Sequence, residues 1–111
     1  MDRDSNRLML RLEQLRRTVN REIINPEIRS LTLEQLTPVV TMVAVARAAY
    51  IKAIFDLSSE CEGVPSPEQI AELKEQRTTF TELVDAANAL ETAIARGYVD
   101  VEEAGAARKA S

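Results

Sequence analysis

The sequence predicts an all-α protein, and three features of its 111 residues support this class. Alanine and leucine are abundant, tryptophan is absent, and the chain holds only two tyrosines and two phenylalanines. Glycine occurs only three times, and there is little of the alternation typical of a half-buried strand. Apolar residues recur instead at helical spacing. We therefore predict an antiparallel bundle of three long helices that pairs with a second copy, with residues 1–97 as one domain and 98–111 as a C-terminal tail.

The first predicted helix covers about residues 5–24. Asp4 or Ser5 is the expected N-cap, and the "NPE" sequence at 25–27 is expected to end the helix, because a residue before proline disfavours helical geometry. Its apolar residues follow one another at spacings of four, three, four and four, and they form a leucine stripe of Leu8, Leu12, Leu15, Val19 and Ile23. These side chains fall within an arc of about 80°. We expect this helix to pack across the other two.

The start of the second helix carries two signals. Thr32 and Gln35 have the spacing of a capping box, which predicts a short turn at 32–36. Thr37 followed by Pro38 predicts a second cap with proline at the first helical position. We therefore expect the short turn to kink into a long helix over about residues 38–59.

The third helix has the clearest boundaries. Ser66 is the expected N-cap, a proline follows at the first helical position, and Gln69 completes a capping box. The helix is predicted over residues 67–96, and Gly97 is expected to end it in the left-handed conformation. Two acidic residues in the tail suit the start of a short fourth helix, whereas a glycine and several small residues there favour fraying, and both alternatives stay open.

The second predicted helix is apolar around most of its circumference, although Arg47 lies near its middle. A helix that is apolar on nearly every side belongs at the centre of an assembly, and a chain of this length offers few segments to cover it. One stripe of this helix is made of small residues, which let another helix approach closely. These residues are Met42, Ala46, Ala49 and Ala53. We predict that they lie in the interface of a homodimer or larger bundle.

The third predicted helix carries two charged residues on its apolar face. Arg77 and Glu91 lie at equal distances from Val84, so an antiparallel pairing of two copies about Val84 places each Arg77 against the other chain's Glu91. The predicted interface residues on this helix are Arg77, Phe80, Val84, Ala87 and Glu91.

In an antiparallel hairpin, Arg47 and Arg77 lie at similar heights, and two buried arginines need negative charge nearby. Pairing with Glu91 of a second copy is one explanation. A second explanation is that the guanidinium groups reach past the apolar face into water. A third is a candidate anion-binding pair that holds a phosphate or carboxylate between Arg47 and Arg77. The sequence leaves all three open.

The residue types argue against catalysis. The chain has no histidine, which removes the usual general base and the histidine-containing catalytic and zinc sites. Its three glycines are isolated, so no glycine-rich phosphate loop is present. Two glutamates flank Cys61, but they make a weak metal site without histidine, and no base is evident for the thiol. We predict a protein without enzymatic activity, cofactor or metal.

The first predicted helix has a basic stripe opposite the leucine stripe. Such a stripe suits nucleic acid, an anionic membrane surface or an acidic partner. It consists of Arg3, Arg7, Arg11, Arg17 and Arg21. The net charge of −4 argues against a nucleic-acid partner. The alternatives are a solvated face, or contacts with the acidic remainder of the chain or with its dimer mate.

The sequence favours a cytoplasmic protein. The first residues are charged and lack the apolar region of a signal peptide, and a single cysteine fits a reducing compartment. Arg47, Lys52 and Asp56 disfavour a membrane span by the second helix. We predict a small helical interaction or scaffolding protein that binds itself and, as a further candidate, another protein. Its specific role is not predicted, and a nucleic-acid-associated regulator that uses the basic stripe is the alternative.

Overall fold

The computed structural model describes residues 2–102, which form three long helices. These are α1 (Arg3–Ile28), α2 (Leu33–Glu60) and α3 (Pro67–Ala95). Between residues 2 and 102 there is no strand, and the only β-pairing is an isolated parallel bridge between Leu31 and Val101. The all-α class and the three helices are therefore confirmed.

The chain divides into two compact units. Unit 1 comprises Met1–Leu36 with Leu90–Ser111, and unit 2 comprises Thr37–Ala89. Both boundaries fall inside helices, so the division does not cut the chain into consecutive domains. The prediction of one domain over residues 1–97 stays a prediction.

The predicted bounds of α1 were wrong at both ends. The N-cap is Asp2, whose carboxylate accepts a hydrogen bond of 2.8 Å from the Ser5 amide, instead of Asp4 or Ser5. The helix also continues through Pro26 to Ile28, past the predicted end at about residue 24. A proline near a helix end removes only one backbone donor, and the Arg29 amide closes the last turn on the Asn25 carbonyl at 3.1 Å.

The predicted start of α2 was also wrong. The capping box exists, since the Thr32 amide donates to the Gln35 side chain at 2.9 Å and the Gln35 amide to the Thr32 hydroxyl at 3.3 Å. It starts the long helix directly at Leu33, however, so residues 33–36 belong to α2 and do not form a separate turn before it. Pro38 lies inside α2, because the bias against helix before proline is a tendency that a well-capped helix overcomes.

The predicted bounds of α3 are confirmed to within one residue. The Ser66 amide donates to the Gln69 side chain at 2.8 Å, and the Gln69 amide donates to the Ser66 hydroxyl at 3.2 Å. At the other end Gly97 has φ +73°, as expected of a C-cap glycine. The Tyr98 amide bonds to the Ala93 carbonyl at 2.9 Å, which completes a Schellman motif and turns the chain away from the helix.

Unit 1 is held together by a segment that follows α3. The Leu31 amide donates to the Asp100 carbonyl at 2.9 Å, and the Glu102 amide donates to the Leu31 carbonyl at 2.7 Å. Its buried residues are Leu31, Ala93, Tyr98 and Val99. The segment 98–102 is therefore held by the buried side chains of Tyr98 and Val99 and by backbone hydrogen bonds to Leu31. The short fourth helix considered for the tail is absent from this segment, and residues 103–111 lie outside the described residues.

Unit 2 is an antiparallel helical hairpin. The beginning of its α2 segment lies beside Thr79 and Leu83 of α3, whereas Leu57 near the other end lies beside Leu73. Midway, the rings of Tyr50 and Phe80 stack with their centroids 5.9 Å apart. The buried residues of this unit are Ala46 and Leu57, so one layer of side chains between two helices forms its core.

Candidate functional site

Arg47, the arginine in the middle of the apolar helix, is exposed. Its guanidinium carbon lies 5.2 Å from the centroid of the Phe80 ring, which is the geometry of a cation–π contact. Among residues 2–102, neither Arg47 nor Arg77 forms an ion pair. The guanidinium group of Arg47 thus lies over an aromatic ring of α3 while the residue stays exposed to water. The candidate anion site at Arg47 and Arg77 stays a prediction.

The predicted interface residues of α3 differ in their exposure. Phe80, Val84 and Ala87 are half-buried, whereas Arg77 and Glu91 are exposed. One chain therefore leaves both charged groups accessible to a second copy, and the predicted pairing of Arg77 with Glu91 stays a prediction.

The predicted small-residue stripe of α2 lies largely against α3 of the same chain. Ala46 is only 7% exposed, and Ala49 and Ala53 are half-buried. Met42, Ala46 and Ala49 line an apolar groove of unit 2 whose other wall is formed by α3. Close approach of a helix to this stripe thus already occurs within the hairpin, while Met42 remains 52% exposed.

A second apolar side of α2 is exposed instead. It lies beside the contact of Arg47 with Phe80, and its large residues are 49–69% exposed. We call this set the outer stripe, and it consists of Val40, Ile51, Ile54 and Phe55. Ile70 on α3 is 47% exposed as well. Sequence reasoning recognised the apolar residues of α2, but their periodicity does not show which of them face α3.

One member of the basic stripe is engaged inside unit 1. Arg21 forms an ion pair with Asp100 and donates a second hydrogen bond to the Gly97 carbonyl at 3.1 Å. Asn25 donates to the same carboxylate at 3.3 Å and accepts from the Asp100 amide at 2.8 Å. The guanidinium of Arg21, and then the amide of Asn25, hold the pKa of Asp100 below its ordinary value. Arg21 thus makes the predicted contact with the acidic remainder of the chain.

The other members of the basic stripe, Arg3, Arg7, Arg11 and Arg17, are exposed. Arg17 lines a shallow polar pocket of unit 1 together with Arg96 and Tyr98. Because Arg21 is paired with a carboxylate, one arginine of the basic stripe is no longer available to bind a polyanion. Nucleic-acid binding stays a prediction. If it occurs through the basic stripe, DNA binding should weaken steeply with salt, and replacement of both Arg7 and Arg11 by glutamate should abolish it.

The described chain offers little chemistry for catalysis. Within residues 2–102 no group of three cysteine, aspartate or glutamate side chains is placed to hold a metal ion. Cys61 is half-buried after α2, and its thiol lies 3.5 Å from the Gly63 carbonyl. The absence of enzymatic activity stays a prediction.

The helix α2 also meets the length and composition of a membrane span. Its most apolar window has a mean hydropathy of 1.5, and 6% of that window is buried. The core helix of a soluble protein and a signal sequence meet the same criteria, so the predictions of a cytoplasmic chain without a membrane span stay predictions.

Comparisons of the chain with protein-family models, curated proteins and solved structures found no match.

Proposed function

We propose that this chain is a non-catalytic interaction or scaffolding protein that associates with itself through the hairpin of unit 2. The observation that carries the proposal is the exposure of the outer stripe, four large apolar side chains on one side of α2. Contiguous exposed apolar residues on a small protein mark a surface that another molecule covers. The outer stripe continues onto α3 where Arg47 contacts Phe80, so both helices contribute to the same surface.

The size of this surface fits a dimer. Burial of the exposed parts of the outer stripe and Ile70 would contribute about 4–8 kcal/mol for each copy. Two copies together would gain about 8–16 kcal/mol, which is of the same order as the about 4–15 kcal/mol that association costs. A second copy is the simplest source of a matching apolar surface, because a two-fold interface uses the same residues on both sides.

Two charged residues of α3 would set the register of the two copies. Arg77 and Glu91 are exposed on α3 and have no ion-pair partner within residues 2–102. An antiparallel pairing about Val84 brings each Arg77 to the Glu91 of the other chain. Such a pair adds more to the specificity of an interface than to its affinity.

Sedimentation velocity on matched variants tests the proposal. Ile51→Glu places a charge in the outer stripe and should lower the mass of the assembly. Val64→Glu is the control, because Val64 is an equally apolar residue, 89% exposed in the loop between α2 and α3. If both variants keep the mass of the unmodified chain, the outer stripe is not the interface.

Charge reversal tests the proposed register. Arg77→Glu should weaken association, because it places a carboxylate opposite Glu91 of the other copy. Adding Glu91→Arg to the same chain should restore part of the lost association. Sedimentation of the two variants decides the point, and association as strong in Arg77→Glu as in the unmodified chain would dispose of the pairing.

A further inference from the structure

The leucine stripe of α1 faces away from the residues that hold unit 1 together. The opposite side of α1 contacts the chain, because Arg21 and Asn25 bind Asp100, and Ile24 and Ile28 are half-buried. The five residues of the leucine stripe are 39–66% exposed. The helix is therefore turned with its apolar side outwards, the reverse of the usual arrangement of a surface helix.

Among residues 2–102, nothing buries the first half of α1, although Leu10, Glu13 and Gln14 line a shallow pocket with Arg96 and Tyr98. Every residue from 6 to 15 is exposed, including Leu8, Leu12 and Leu15. A helical segment of this length is marginal in water without tertiary contacts. Its apolar side therefore identifies a surface that a second molecule covers.

We propose that the leucine stripe pairs with the leucine stripe of a second copy, antiparallel and about Leu15. The spacing of the stripe is nearly the same in both directions, so the pairing places Leu8 against Ile23 and Leu12 against Val19. A two-fold axis then passes close to Leu15. The inference rests on the proposed self-association and deepens it, since it assigns a second interface at a separate surface.

Charge complementarity selects this partner and this direction. Arg11 and Glu22 lie on the same edge of the leucine stripe, and both are exposed. Antiparallel pairing brings each Arg11 within about one helical turn of the other copy's Glu22. In a parallel pair this edge would instead face the opposite edge of the other copy, where Arg16 lies, so Arg11 would not meet Glu22. On the other edge Arg16 approaches its own copy, but its charge is already paired with Glu13 of the same chain.

The same edges argue against a lipid surface as the occupant. A helix that lies on an anionic membrane carries mainly lysine and arginine beside its apolar side. Here Glu22 lies with Arg11 on one edge of the leucine stripe, and Arg16 on the other edge is paired with Glu13. This mixture of signs suits a second helix with the same residues in the opposite direction. With two separate two-fold surfaces, the chain would assemble beyond a dimer.

Disulfide trapping in the full chain tests the inference. With Cys61 replaced by serine, Leu15→Cys places a thiol near the proposed axis, close to the same thiol of the other copy. Leu8→Cys places two thiols about 22 Å apart along the pair, which no disulfide can span. Leu10→Cys is the control, because Leu10 is 68% exposed on another side of α1. We expect Leu15→Cys to form a covalent dimer at least about tenfold faster than the other two.

Three results would overturn the inference. Fastest trapping by Leu8→Cys would show parallel pairing, and equal rates for all three variants would show random collision. The third is binding to phosphatidylglycerol vesicles that is lost when Leu12 and Val19 are both replaced by glutamate, without preferential trapping at residue 15. A different result would overturn the proposed function, namely an unchanged mass of the assembly in Ile51→Glu. Preferential trapping that persists in an Ile51→Glu background would support the α1 pairing whatever the fate of the hairpin interface.

Discussion

At the scale of single residues, two charged residues affect local stability, Arg29 through its backbone conformation and Asp100 through its side-chain contacts. Arg29 ends α1 with φ 64° and ψ −168°, a backbone region that is occupied almost only by glycine. Asp100 fixes the segment after α3 by binding Arg21 and Asn25. Neither role follows from sequence pattern, because each depends on where the chain runs after its helices end.

Replacement of Arg29 by glycine should stabilise the protein. Glycine adopts this conformation without strain, which outweighs its greater freedom in the unfolded chain, and the expected gain is about 1 kcal/mol. Urea unfolding at a fixed protein concentration measures the change. Arg29→Ala is the control and should stay within about 0.5 kcal/mol of the unmodified chain. Equal stability of the glycine and alanine variants would show that the backbone at residue 29 is not strained.

The contacts of Asp100 predict a pH dependence of stability. Since folding lowers the pKa of Asp100, the unfolded state binds the proton more readily, and the ionised carboxylate stabilises the fold. This contribution is present above about pH 4 and is lost as the pH falls through the lowered pKa. Asp100→Asn should therefore be less stable than the unmodified chain at pH 7, with a smaller loss on acidification. Thermal unfolding from pH 7 to pH 2 measures both, and parallel curves for the two proteins would contradict the assignment.

At the scale of helices, capping signals were more reliable than the helix boundaries inferred from proline. The capping boxes at Thr32 and Ser66 and the glycine C-cap at Gly97 are all present, because each depends on neighbouring residues alone. The helix boundaries predicted from the two prolines were wrong, because Pro26 lies inside α1 and Pro38 lies inside α2. Proline removes one hydrogen bond, but contacts elsewhere in the fold and a strong cap offset that loss.

The orientation of each apolar side was the part that the sequence could not supply. Periodicity identifies the leucine stripe and the apolar residues of α2, but it does not say which side of a helix its neighbour takes. In unit 1, the pairing of Arg21 with Asp100 puts the basic side of α1 against the chain. In unit 2, Ala46 faces α3 and leaves the outer stripe exposed. The predicted interface residues therefore depended on a choice that only tertiary contacts make.

The packing of α2 against α3 gives a prediction at this scale. Ala46 is enclosed beside Thr79 and Leu83, so Ala46→Leu should overpack the hairpin and destabilise it by about 1–3 kcal/mol. Ala48→Leu is the control, because Ala48 lies on the same helix and is exposed. Chemical unfolding of both variants measures the difference. If the two are equally stable, Ala46 is not enclosed within the hairpin.

At the scale of the whole molecule, the buried core is small for the length of the chain. Among residues 2–102 only six hydrophobic residues are buried, three of them in the C-terminal part that follows Leu90. A chain of 111 residues ordinarily buries about two-thirds of the surface of its unfolded form. The missing burial is explained if association contributes to the stability of the fold.

Stability should then depend on protein concentration. Mass action raises the unfolding temperature of an associating protein as its concentration rises, because only the folded chain assembles. Differential scanning calorimetry over a wide concentration range should show this rise for the unmodified chain and a weaker rise for Ile51→Glu. An unfolding temperature that is the same at every concentration would show that association does not stabilise the fold.

Sedimentation equilibrium of the unmodified chain in detergent-free buffer tests the central claim most directly. We expect a soluble species heavier than one chain. It should dissociate only on strong dilution, and the chain should lose helicity on dissociation. A well-folded single chain at every concentration would contradict this claim, since that chain would then be stable with the outer stripe in water.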